Sequence, residues 1–286
     1  MNSIFEKRTR RVDQLLSALI YLSALFVFAL VFVIIAFIGV KAIPHLNLDF
    51  FTTAKSTLNG TNGILSNMIN TIYVIVLTLL IACPVGIGGA IYLNEYAKNK
   101  RFVELISFAL EVLSGIPSII YGLFGMIFFG EKLALGYSIL NGSLTLSLMI
   151  LPILTRNAQL ALNNVPTSYR EAARGIGAQK WYMIRTVLLP SAIPGILTGV
   201  ILAMGRIVAE SAVLIFTAGS GYFMPTDLFG HILKSGGTLT VRLYFEMNNA
   251  QYNEAFMIAL LLVVIVLCMN ALAKWIAKRF DVNGGK

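Results

Sequence analysis

Six long apolar stretches separated by short polar segments organise this chain. They run at about Leu15 to Ile43, Ile69 to Leu93, Leu105 to Phe129, Leu144 to Leu160, Ser191 to Thr217 and Ala255 to Ile276. A bilayer core of roughly 30 Å needs about 20 mostly apolar residues in helix, because no water is present there to satisfy backbone groups. The pattern therefore predicts an all-α polytopic membrane protein with six transmembrane helices. Two Gly/Pro clusters interrupt it, around Pro84 to Gly89 and Gly115 to Gly125; both are read as close helix packing with a proline kink.

Charge gives the predicted spans a direction. With the N-terminus inside, the inner segments carry fifteen basic residues: Lys7, Arg8, Arg10, Arg11, Lys98, Lys100, Arg101, Arg170, Arg174, Lys180, Arg185, Lys274, Lys278, Arg279 and Lys286. The outer segments carry five, Lys41, Lys55, Lys132, Lys234 and Arg242, while Arg156 and Arg206 fall inside spans. Lys and Arg accumulate on the cytoplasmic side, so both termini are expected in the cytoplasm. The expected organisation is a cytoplasmic segment at 1–14, a transmembrane domain at 15–277 containing a cytoplasmic loop at 161–190, and a cytoplasmic tail at 278–286. The first apolar run is too long for a signal-peptide core and no small-residue cleavage site follows it, so it is kept as a span.

Composition narrows the function. Apolar residues make up 57% of the chain and charged residues only 12%, against roughly 25% charged in soluble domains, so the net charge of +9 belongs to membrane topology and not to nucleic-acid binding. Cys83 and Cys268 lie in apolar spans and read as buried thiols. His45 and His231 are single outer-loop residues with no expected special role, and the triplets at Asn59 and Asn141 are too short a pattern to carry weight. No Gly-rich loop ending in Gly-Lys-Ser/Thr occurs, so if ATP drives the protein, the ATPase is another chain.

The inner loop from Ala161 to Pro190 is the most informative stretch. Ser168 and Glu171 have the spacing of a capping box, which predicts a short helix starting near Tyr169 and ending before Gly177. Glu171-Ala172-Ala173, Gly177 six residues after the glutamate, and Leu189-Pro190 resemble the EAA loop of type I ABC importer permeases; Val187 stands where that family has isoleucine. The resemblance implies the type I permease fold, with a coupling helix from about Tyr169 to Ile176 seated in a cytoplasmic ATPase. Arg170, Glu171, Ala172, Ala173, Arg174 and Gly177 would form that contact.

Ionisable groups inside spans cost roughly 2.5 to 3.5 kcal/mol on insertion scales and usually face a partner or a water-filled path. Arg206 and Glu210, four residues apart in the fifth span, are expected on one helical face. A guanidinium suits paired hydrogen bonds to phosphate, and a carboxylate at Glu210 could accept a hydrogen bond from the O–H that hydrogen phosphate keeps while repelling a fully ionised anion such as sulfate. The segment from Ala203 to Ala212 resembles the Arg-x-x-Gly-Glu-Thr-Ala segment of phosphate permeases of the PstA type, with Ala209 and Ser211 as the departures. The stretches Pro84 to Tyr96 and Gly115 to Gly125 are similar too, and the short N-terminus leans to the PstA over the PstC type.

The resemblance implies a phosphate path of Arg206, Glu210, Ser211 and Arg156, the last being equally readable as a side chain reaching the inner surface. It also implies four partners: a second permease of the PstC type, an ATPase dimer of the PstB type, an extracytoplasmic phosphate-binding protein of the PstS type, and the lipid of a prokaryotic cell membrane. ATP and magnesium would sit in the ATPase, with no cofactor in this chain. A permease for another oxyanion or nutrient, or an ion-coupled carrier, stays open at this level. The outer segment from Ala218 to Asn253 is expected either to receive the binding protein or to be a plain connection.

Overall fold

The computed structural model of the protein describes residues 11–56, 60–225, 227 and 229–280. Most of the expected segments at 1–14 and 278–286, with their basic residues, and Asn59 lie outside what is described. The helices in chain order are α1 (Arg11–Ala42), α2 (Leu48–Thr52), α3 (Leu65–Ile91), α4 (Lys100–Gly115), α5 (Ser118–Gly125), α6 (Ile139–Asn163), α7 (Thr167–Gly175), α8 (Lys180–Met183), α9 (Leu189–Ala209), α10 (Ala212–Thr217), α11 (Leu239–Asn248) and α12 (Tyr252–Phe280). One small hairpin, β1 (Lys55–Ser56) with β2 (Thr61–Asn62), lies between α2 and α3.

Among the described residues, five helical runs are long and apolar enough to cross a membrane, and a sixth is obtained if the bent pair of α4 with the run from Ser118 to Lys132 counts as one span. That bend corrects the expected third span. Its two arms meet at 98° instead of forming one rod from Leu105 to Phe129. Pro117 has no N–H to donate and pushes Ile116 out of the helical region, to φ −70° and ψ 129°. Pro84, by contrast, is absorbed inside the continuous α3.

α6 is the central helix and touches α3, α9, α5, α4 and α10. Its surface is buried from Ile139 to Thr155 apart from a few half-buried positions, and first opens at Arg156, Leu160 and Asn163. Small residues allow the close approach: a Cβ added at Gly86 would lie 3.0 Å from that of Leu154, and one at Gly199 would lie 2.6 Å from that of Asn157. Apolar side chains make three packed groups. One is central around Leu146, Ile150 and Leu214, one lies at the α7 end around Leu162, Ile184 and Leu188, and one at the far end joins Phe50, Ile64, Leu239 and Ile258.

Candidate functional site

The loop at 161–190 folds as a short helix held on a fixed base. α7 starts at Thr167, directly after Pro166, two residues earlier than expected. The anticipated capping box is not formed: no side chain caps the helix, and Ser168 falls inside the first turn. The other end is built by Gly177 at φ +76°. Its N–H donates to the Arg174 carbonyl at 2.9 Å, and that of Ala178 donates to the Ala173 carbonyl at 3.0 Å. This double bond pattern closes a helix through a left-handed residue, which only glycine adopts without strain.

The six residues expected to meet the ATPase divide into two groups. Glu171, Ala172, Arg174 and Gly177 are exposed, with Tyr169 and Ile176 beside them. Ala173 is buried and Arg170 is turned inward. The Arg170 guanidinium pairs with Glu95 at 3.0 Å and donates to the carbonyls of Val165 at 3.0 Å and Leu162 at 2.9 Å. Arg170 is therefore corrected from a contact residue to the strut that fixes α7 on the end of α6. Glu95 belongs to a wide π-type turn, Tyr92–Tyr96, whose carbonyl at Glu95 also receives the Lys180 ammonium. Reasoning from the sequence missed this role, although a glutamate beside an inner basic loop was its signal.

The fifth span is broken where the second motif lies. α9 ends at Ala209, and Glu210 is extended at φ −82° and ψ 125°. The chain leaves the helix at Glu210, and Arg206 and Glu210 form no ion pair. Two bonds hold the break open: the Thr240 hydroxyl donates to the Glu210 carbonyl at 2.8 Å, and the Val213 N–H donates to the Glu210 carboxylate at 3.3 Å. Ser211, half buried, is the residue before α10. The reason is tertiary, since Thr240 arrives from an outer segment thirty residues on.

Arg206 sits on a stripe of α9 left uncovered in the single chain, with Gly195, Thr198, Leu202 and Ala209 exposed on the same face. It lies within electrostatic reach of the Tyr121 phenol on α5. Arg156 is exposed on α6 and lines a cavity of about 350 Å³ between α6 and α4. Because Asn157 packs against Gly199, Arg206 lies roughly 10 Å further along α9 from the α7 end, seven residues at 1.5 Å each. The two arginines thus stand at two depths on neighbouring helices, and neither has a carboxylate partner among the described residues.

The segment from Ala218 to Asn253 packs into the bundle. Gly236 and Gly237 dip into the bundle, where Asn67 and Asn70 donate to the Gly237 carbonyl at 2.8 and 3.3 Å. His231 is buried, with Nε2 2.7 Å from Asn70 Oδ1 and its ring edge-on to Tyr73. Burial lowers its proton affinity, and Lys234 lowers it further. Arg242 is wholly enclosed by Glu246 at 2.6 Å, Glu254 at 3.8 Å, the side-chain Oδ1 of Asn62 at 2.6 Å and the Tyr222 ring at 5.0 Å.

Comparison with known proteins agrees with this geometry. Residues 82–282 match the family described as the binding-protein-dependent transport system inner membrane component. The probable ABC transporter permease protein YqgI of Bacillus subtilis is 34% identical over 277 residues, covering 92% of this chain and 94% of that protein. The phosphate transport system permease protein PstA of Haemophilus influenzae is 34% identical over 237 residues, covering 80% and 81%. A bacterial alginate ABC transporter, solved in complex with an alginate pentasaccharide-bound periplasmic protein, matches at a TM-score of 0.70 and 16% identity, covering 95% of this chain and 96% of the other.

Proposed function

Because the chain belongs to the inner-membrane components of binding-protein-dependent transport systems, we propose that it is one of the two permease subunits of an ATP-driven importer of inorganic phosphate. Its fold is that of the type I ABC importer permeases. The phosphate assignment is supported by the relatives named as phosphate permeases, and above all by Arg206. A guanidinium without a carboxylate partner stands on an uncovered face of a membrane helix, at an energetic cost that an anion passing it would justify.

In this reading a second permease covers the α9 stripe and the path runs between the two subunits. Both termini and α7 are cytoplasmic, in the cell membrane of a prokaryote. An ATPase dimer, which holds ATP and magnesium, receives the exposed face of α7: Glu171, Ala172, Arg174, Gly177 and their aromatic neighbour Tyr169. When that dimer closes, the force passes through Arg170 and Glu95 into α6 and α3, and the two permeases rock. An external binding protein delivers phosphate on the side of α11. The anion meets Arg206 first and Arg156 next, while Glu210 and Ser211 hold the break in the span that gives the path room. No covalent step falls to this subunit.

The test is the purified assembly in nanodiscs. Phosphate-loaded binding protein is expected to stimulate ATP hydrolysis, and the intact transporter to take up labelled phosphate in preference to sulfate or molybdate. Unchanged hydrolysis, or equal uptake of the other oxyanions, would defeat the assignment.

A further inference from the structure

The cavity between α4 and α6 contains a group that the path described so far does not use. Ser107, Glu111 and Ser114 recur at intervals of four and three, which places them on one face of α4. That face meets Arg156, Asn157 and Gln159 of α6 across about 350 Å³. The Ser114 hydroxyl donates to the Glu111 carbonyl at 2.7 Å and the Asn157 amide to the Ile153 carbonyl at 2.8 Å. The charged ends of Glu111 and Arg156 are committed to neither: they form no ion pair, although both line the same space. The 98° bend at Pro117 creates the arrangement, because it swings α4 away from α5 and lays it against the only part of α6 that is open.

We propose that this cavity is a binding station for a tetrahedral oxyanion that carries a proton, with Arg156 holding an ionised oxygen and Glu111 accepting the hydrogen bond of the protonated one. The inference rests on the phosphate reading and adds a residue that selects the ligand. A carboxylate beside an arginine repels a fully ionised dianion such as sulfate, while it accepts the O–H of hydrogen phosphate in a short charge-assisted bond. A carboxylate is an odd choice for an anion site unless the anion brings a donor. Glu210, the proton reader expected from the sequence, has one carboxylate oxygen engaged by the Val213 N–H, whereas Glu111 forms no ion pair among the described residues and lines the same cavity as Arg156. A lipid phosphodiester offers the same ionised oxygens without the proton, so the two sources are separable.

The experiment uses the nucleotide-free assembly without binding protein, with Cys83 and Cys268 replaced by alanine and Leu110→Cys as a reporter in the cavity wall. Its alkylation by a maleimide is followed in nanodiscs of zwitterionic lipid and of anionic lipid. Inorganic phosphate is expected to slow alkylation several-fold and sulfate to leave it unchanged, in both lipids. Glu111→Gln should let sulfate protect as well as phosphate, and Arg156→Gln should remove protection by either. Alkylation indifferent to phosphate in every background would overturn the proposal, as would protection by anionic lipid alone. If labelled-phosphate uptake by the unmodified transporter is intact in either case, the importer assignment survives and only the station falls; if uptake itself is absent, the assignment fails first.

Discussion

The outer and the membrane-embedded arginines of this chain lead opposite lives. Arg242 has a fully buried side chain enclosed by two glutamates, an asparagine and a tyrosine ring. Arg206 and Arg156 are exposed and have no carboxylate within pairing distance. The first ties four outer elements together: the hairpin through Asn62, the loop through Tyr222, α11 through Glu246 and α12 through Glu254. Its charge is spent on the fold. The other two keep their charge available on surfaces that lipid alone would make unfavourable. Burial with partners marks a structural cation, and in the proposed phosphate path the two unpaired cations are the ones that meet the anion.

The strongest way to break this contrast is to remove each charge and ask whether folding or transport responds. Arg242→Gln strands two carboxylates in a closed site, and loss of one partner of such a pair costs about 3 to 5 kcal/mol. The expected outcome is poor recovery of the assembled complex and a lowered melting temperature; an unchanged melting curve would dissolve the distinction from the structural side. Arg206→Gln should do the reverse. Assembly and melting stay as they were while uptake falls by roughly a hundredfold, the effect of losing about 2.7 kcal/mol of charge-assisted contact. Normal uptake would remove Arg206 from the path.

Arg170 sharpens the comparison because it is paired yet lies within α7, the helix proposed to meet the ATPase. Arg170→Gln is expected to cost about 1 to 3 kcal/mol, the range for a bond to a charged group. It should also loosen α7, so that ATP hydrolysis continues with less phosphate moved per ATP. Gly177→Val forces a β-branched residue to φ +76°, a strain of about 1 to 2 kcal/mol, and should uncouple in the same way; tight coupling in both would show that α7 does not transmit force.

The smallest effect belongs to His231. Its proton affinity is lowered from the ordinary 6.5 by burial and then by Lys234, so the folded state resists a proton that the unfolded chain accepts. Stability is therefore whole above pH 6.5 and declines as the pH falls from there toward the lowered folded value. His231→Gln should flatten that decline, and thermal melts between pH 5 and 7 would reveal it.

The apolar stretches of the sequence placed four of the six spans to within about five residues at each end, since a hydrophobic run of that length has no other stable setting in lipid; the third is bent and the fifth ends eight residues early. The EAA-like loop was legible for a local reason too: Gly177 takes the left-handed conformation that closes a helix, at φ +76°. The break in the fifth span at Glu210 was not, because the Thr240 hydroxyl that holds its carbonyl comes from an element thirty residues away. Glu95 escapes a reading from the sequence because its pairing is with a side chain 75 residues distant.

By itself, then, the sequence determined that this chain lives in a membrane, where its spans begin, and which short segment could face an ATPase. These are properties of composition, helical period and backbone conformation within a few residues. Only the tertiary structure decided which arginines are neutralised and which are left open. The field at a guanidinium depends on what other helices bring within a few ångströms, and that proximity is created by packing, by the bend at Pro117 and by the dip of Gly236 and Gly237 into the bundle.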